Sequence, residues 1–247
     1  MRHFERAEWS PSKRRPPELD RWPYSIPAVA QIIREGGLEI QPGVTILVGE
    51  NGSGKSTIIE ALAAIYPRKG FENPFAMVTG VGPSEEDSPL RFHLRPRLTM
   101  MASRAGFFLR AESMHAFLAS VDSAEKAFGY ADRKMQRQSH GESFLDVLRQ
   151  RFDDVGVYFM DEPEAALSFQ SSLALLSLLD TMRREGSQVI VSTHSPILAS
   201  LPGATVLELG DHGIRQVENP EELALIQHWR SFLDSPKRYL RHLLADG

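Results

Sequence analysis

Apolar positions in this chain gather into short runs, separated by longer stretches in which they recur at helical spacing, and the two kinds of segment alternate most regularly in the C-terminal half. Val44 to Val48 (VTILV) is β-branched and bounded by Pro42-Gly43 and Gly49, which predicts a buried strand. The glycine-rich turn after it runs into SGKSTIIEALAAI, whose pattern predicts a helix. Gly106 to Arg110 (GFFLR) predicts a second buried strand, followed by weakly amphipathic helical sequence from Ala111 to about Arg137. Beyond it come a helix from Gly141, a strand at Val157 to Met160, a helix from Gln170 to Arg184 and a strand at Gln188 to Ser192. Strands alternating with helices imply βαβ units and an α/β fold with a mainly parallel sheet flanked by helices.

Other segments carry weaker patterns. Residues 1 to about 23 mix charges, prolines and two tryptophans without a period and predict an irregular arm. Tyr24 to Ile40 is apolar but interrupted by Pro27 and Gly36-Gly37, so strand and short helix both stay open. Pro67 to Arg104 is rich in proline, glycine and charge and predicts a loop region, and Pro220 to Leu244 predicts helix broken at Pro236. There is no internal repeat or sustained heptad.

Composition narrows the classes. At 247 residues and 42% hydrophobic, the chain can bury one substantial core, so a single domain over residues 1–247 is expected, with a C-terminal helical segment at 220–247. The absence of cysteine excludes disulfides, thiolate metal sites and thiol catalysis, and fits a reducing compartment. The amino terminus lacks the apolar core of a signal peptide, and no charge-free apolar run is long enough to span a bilayer, so the expectation is a cytoplasmic protein without direct membrane insertion. A net charge of -4 gives no global attraction to nucleic acid, for which Lys13-Arg14-Arg15 and the arginines between Arg91 and Arg104 are only local hints.

Gly49 to Thr57 (GENGSGKST) carries the most specific chemistry. Backbone N–H groups converge on phosphate oxygens only where side chains leave the approach open, which is what Gly49, Gly52 and Gly54 provide around Asn51 and Ser53. The helix start near Lys55 adds its positive dipole end, Lys55 can reach the β- and γ-phosphates of ATP, Ser56 can ligate Mg2+, and Thr57 can hold the α-phosphate. A strand before and a helix after this spacing place it in the setting of a P-loop NTPase.

Val157 to Glu162 (VYFMDE) is an apolar strand ending in two acids, at the edge where parallel sheets bind ligands. We assign Asp161 to the metal ion and Glu162 to the attacking water as its base.

Three further elements follow in an order that resembles an ABC-type ATPase. Ser139-His140-Gly141-Glu142 is similar to the signature motif of that superfamily, with His140 in place of a glycine. The resemblance implies that Ser139 and Gly141 serve the nucleotide bound by an opposite subunit, within a helical subdomain spanning 111–152. Pro163 to Ser168 lies where the superfamily has its D-loop, with Ser168 where an aspartate is usual. Ser192-Thr193-His194-Ser195-Pro196 resembles the switch-histidine loop, which implies that His194 contacts the γ-phosphate and the water. Tyr24 lies where an aromatic often stacks on adenine, and Glu112 is the nearest polar substitute for the glutamine that the superfamily places after the strand at 106–110, contacting metal or water.

With phrases such as VGENGSGKST, FFLRAES, SHGESF, DEPEAALS and STHSPIL, nearly the whole chain resembles the small stand-alone ATPases of bacteria within that superfamily. The implied activity is ATP hydrolysis with Mg2+ by a head-to-tail homodimer that drives a conformational change in an unknown protein partner. The alternatives are the nucleotide-binding subunit of an ABC transporter and a nucleic-acid-associated ATPase of the repair or defence type.

Overall fold

The computed structural model describes residues 1–67, 88–110, 154–165 and 167–243. Among the described residues the main sheet has six strands: β3 (Val44–Gly49), β5 (Gly106–Arg110), β6 (Val157–Asp161), β7 (Gln188–Thr193), β8 (Thr205–Gly210) and β9 (Gly213–Val217). They lie in the order β5-β6-β7-β3-β8-β9, with every pairing parallel except the β8–β9 hairpin at the edge.

Both faces of this sheet are covered, and the strands alternate between two cores. Val44, Ile46, Val48, Tyr158, Met160, Val189 and Val191 face one core, where Leu175, Leu179 and Met182 of helix α3 (Phe169–Arg184) and Leu198 of the short helix α4 (Pro196–Ala199) pack. Leu47, Val157, Phe159 and Ile190 face the other, filled by α1 (Pro27–Arg34) and α2 (Lys55–Ile65). Burial on both sides is why β7 is inaccessible along its whole length and why these strands read as unbroken apolar runs.

The α/β fold and mainly parallel sheet expected from the sequence are thus present, but three regions differ from expectation. The amino-terminal arm contains a strand, β1 (Phe4–Trp9), which pairs antiparallel with β2 (Gly37–Glu39) and β4 (Leu94–Leu98) in a second, three-stranded sheet. The ambiguous stretch after Tyr24 resolves into helix followed by strand: Pro27 opens α1, whose Ala28, Val29 and Ile32 are buried at helical spacing, and β2 follows. Within 67–104, a 3-10 turn (Pro89–His93) and β4 replace the expected loop at its C-terminal end.

Gln188 fastens the small sheet to the large one. Fully buried, its Oε1 accepts from the N–H groups of His3 (3.0 Å) and Phe4 (2.8 Å), while Nε2 donates to Phe4 O (2.9 Å) and Gln41 O (2.8 Å). A side-chain amide with all of these partners satisfied is a strong local staple. At the other edge, Glu208 of β8 accepts from the N–H of Ala224 at 2.9 Å and so fixes the start of α5 (Ala224–Asp234), which is followed across Pro236 by α6 (Pro236–Leu243). Among the described residues, no helix is long and apolar enough to cross a membrane.

Candidate functional site

Strand order explains the site. β6, β7 and β3 are neighbours, so their carboxyl ends bring Asp161-Glu162, Thr193-His194 and the loop after Gly49 to one edge of the sheet. Asp161 stands opposite Ser192 in register, and Val48 opposite Thr193.

The loop Gly49–Gly54 ends in a residue that must be glycine: Gly54 is the N-cap of α2 at φ 100°, and a Cβ there would sit 3.0 Å from Ile26. Gly52, at φ 83°, has nothing within 4 Å of where its Cβ would be, so the backbone of the loop stays open at that point. Asn51 and Gly52 are exposed, whereas the Ser53 hydroxyl is buried with no partner among the described residues. Lys55, only 4% exposed, curls over the loop and donates from Nζ to Gly49 O (2.9 Å) and Glu50 O (3.0 Å). Burial lowers its pKa, although Glu162, Asp161 and Glu164 pull it back upward, so the charge is held in a desolvated place facing three carboxylates.

Asp161 is the electrostatic counterpart. Ser56 Oγ donates to its Oδ1 at 3.2 Å, and Ser192 Oγ donates to the same oxygen. Burial raises its pKa and the Glu162 charge adds to that, while the two serine bonds and Arg110 oppose the rise without cancelling it. A carboxylate left so under-compensated beside a serine hydroxyl is a hard oxygen donor pair of the kind Mg2+ takes. Among the described residues, no group of three or more His, Asp and Glu side chains is arranged to hold a metal alone, so a cation here would need further oxygens such as phosphates, which is the usual way Mg2+ is bound.

Glu162 has a left-handed backbone, φ 49°, the only non-glycine residue with positive φ among those described. Its N–H donates to Ser192 O at 3.0 Å, anchoring the turn to the neighbouring strand, and its Oε1 lies 3.2 Å from His194 Nε2. Strain of this sort persists only where the surroundings enforce it. Glu162 and His194, distant in the chain, thus come within 3.2 Å of each other, although His194 Nε2 has no hydrogen-bond partner among the described residues.

Two expected residues fare differently. Tyr24 is 6% exposed, packed edge-on against Trp9 (6.3 Å) and His93 (5.4 Å) in the core beneath α1 and α2. Its faces serve packing, which corrects the expectation that it presents a stacking surface for adenine. Ser168 caps α3, accepting from Ser171 N at 3.2 Å, a local role that accounts for serine at that position. Ser139, Gly141 and Glu112 lie outside the described residues. Sequence reasoning missed Glu164, whose carboxylate accepts from Thr193 Oγ1 (2.5 Å) and His194 N (2.8 Å); only its acidity within DEPE hints at a role.

The AAA domain family matches residues 29–66, which hold the loop and its helix. The cytochrome c biogenesis ATP-binding export protein CcmA of Rhodospirillum rubrum is 32% identical over 177 residues, covering 69% of this chain and 75% of that protein. The macrolide export ATP-binding/permease protein MacB of Rhodopseudomonas palustris is 26% identical over 201 residues, 74% of this chain, and this chain spans only 31% of its length. A solved structure of cbiO1 from Clostridium perfringens, part of the ABC transporter complex cbiONQ, aligns over 99% of this chain and 100% of that one with a TM-score of 0.47 and 16% identity.

Proposed function

The chain belongs to the ABC-type P-loop ATPases, and from that premise we propose that two copies close head-to-tail over two Mg-ATP molecules, hydrolyse them, and pass the reopening motion to a partner protein. The observation that carries this reading is the convergence of Lys55, Ser56, Asp161, Glu162 and His194 on one edge of three adjacent strands.

In this mechanism the backbone of Asn51 to Thr57 cradles the phosphates, and Lys55 leaves the carbonyls of Gly49 and Glu50 to engage the β- and γ-phosphates. Ser56 and Asp161 would hold Mg2+, which when bound neutralises charge on the phosphate oxygens. Glu162 accepts the proton of the attacking water, and His194 orients that water against the γ-phosphate. Ser139 and Gly141 of the second chain complete the site, and Glu112 contacts metal or water. Positioning and charge stabilisation supply most of the rate.

The test is oligomeric state under trapping conditions. Glu162→Gln with Mg-ATP should sediment as a dimer while its nucleotide-free form does not, and a monomer at saturating ATP would contradict the shared-site mechanism. A second reading, the nucleotide-binding subunit of a transporter, is favoured by the likeness to transporter ATP-binding proteins. Co-purification of the trapped variant with an integral membrane protein would establish it over a stand-alone switch.

A further inference from the structure

Among the described residues, Glu164 makes no hydrogen bond to the phosphate loop, yet its carboxylate holds the backbone of the histidine loop. One oxygen, Oε1, accepts from the Thr193 hydroxyl (2.5 Å) and from the N–H of His194 (2.8 Å). Thr193 Oγ1 in turn accepts from Ser195 N at 2.9 Å, and Ser195 Oγ accepts from Leu198 N at 3.4 Å at the start of α4. The three residues around the imidazole are therefore fixed in series, from one carboxylate to the cap of the following helix. The other end of this series is equally constrained: Glu164 sits in a tight turn closed by Ala165 N to Glu162 O (3.1 Å) and Leu167 N to Glu164 O (2.8 Å), with Pro163 buried inside it.

We propose that Glu164 is a positioning residue that locks the tip of β7 to the tip of β6 and so sets the approach of His194 to Glu162. Three links already join these tips: the bond from Ser192 Oγ to Asp161 Oδ1, the bond from Glu162 N to Ser192 O, and the 3.2 Å approach of His194 Nε2 to Glu162 Oε1. The two Ser192 bonds hold the strand end but make no contact with the peptide of His194. Glu164 supplies the missing constraint, because it binds the N–H of His194 itself. An ionised acceptor makes these bonds shorter and stronger than a neutral one would. Removing it leaves the Thr193 hydroxyl and the His194 N–H without their acceptor, and the loop must turn to satisfy them. A displacement near 1 Å in a catalytic group costs on the order of 100-fold in rate.

This inference rests on the roles of Glu162 and His194 proposed above, and a double-mutant cycle separates the two. Phosphate release under saturating Mg-ATP is measured for the wild type, Glu164→Ala, His194→Ala and the double variant, together with Glu164→Gln. The expected result is that each alanine variant lowers kcat by roughly 100-fold with KM for ATP within about threefold, that the double variant is no slower than His194→Ala, and that Glu164→Gln, which keeps an acceptor oxygen, stays within about fivefold of wild type. A double variant slowed by the product of the two losses would overturn the inference, since Glu164 would then act independently of His194 or through general stability. So would a wild-type kcat for Glu164→Ala beside a slow His194→Ala. Wild-type turnover by His194→Ala would instead overturn the underlying assignment of the histidine.

Discussion

The two sheets of this molecule treat charge in opposite ways. On the three-stranded sheet, Arg97 reaches Glu5 (3.2 Å), Glu8 (3.2 Å) and Glu39 (3.4 Å), and Arg2 and Arg6 both pair with Glu39 at 2.8 and 2.9 Å, all at partly exposed positions. At the carboxyl edge of the six-stranded sheet, the carboxylates of Asp161, Glu162 and Glu164 act on the buried Lys55, with Arg110 beside Asp161 and His194 beside Glu162. The first arrangement is matched by several arginines, and the second leaves Asp161 desolvated with less compensation. The difference shows in two carboxylates. Burial pulls the pKa of Glu39 upward, but hydrogen bonds from Arg6 and Arg2 and the charges of Arg6 and Arg97 outweigh it and leave the group below its usual range. For Asp161, burial prevails and leaves the group above its range. The linkage signs are therefore opposite. The stability that Glu39 contributes is present above its unfolded pKa and lost as pH falls through the folded value, whereas any contribution from Asp161 is present in acid and lost as pH rises through its folded value. At neutral pH the charged form of Glu39 adds to stability and the charged form of Asp161 subtracts from it, a cost that binding of a cation would relieve.

The largest effect is expected at Lys55. Lys55→Ala removes the buried cation facing the three carboxylates, and ATP affinity measured by calorimetry should fall by at least about 100-fold, the scale of losing a charge-assisted contact to phosphate. Asp161→Asn sharpens the contrast by dividing stability from function. The asparagine oxygen can still accept from Ser56 and Ser192, so removing the desolvated charge should raise the stability of the nucleotide-free protein by about 1 kcal/mol in a denaturant titration at neutral pH, while Mg-dependent turnover is lost. A destabilised Asp161→Asn would show that the charge is compensated after all. The smallest effect belongs to the matched sheet: Arg97→Ala should cost under about 1 kcal/mol, with the difference shrinking further in high salt, because its partners are partly exposed and screened.

What was legible in the sequence follows the same division. β3, β6 and β7 announce themselves because burial on both faces makes them continuous apolar runs, and the residues at their ends stand out as glycine, lysine and acid against that background. β1 is hidden because its pairing with β4 slips between Phe4 and Arg6, so its buried positions, Phe4 and Ala7, do not alternate, and its outward charges look like a solvated tail. β8 is masked by Glu208, whose charge is acceptable inside a strand only because Arg215 (2.5 Å) and the N–H of Ala224 (2.9 Å) meet it. Position along the chain makes Tyr24 look like an adenine platform, but its burial depends on Trp9 and His93, which arrive from β1 and from the turn before β4. Glu164 is the clearest case: its partners lie 29 and 30 positions away, and only the adjacency of β6 and β7 brings them together.

Glu162, 3.2 Å from His194 at the edge of the sheet, is proposed as the base for ATP hydrolysis. Its most direct test is phosphate release by Glu162→Gln beside ATP binding by the same protein. Turnover should fall by about 100- to 10,000-fold, the range expected for loss of a general base, while ATP affinity stays within about threefold of wild type. Turnover at the wild-type rate with ATP bound normally would contradict the account.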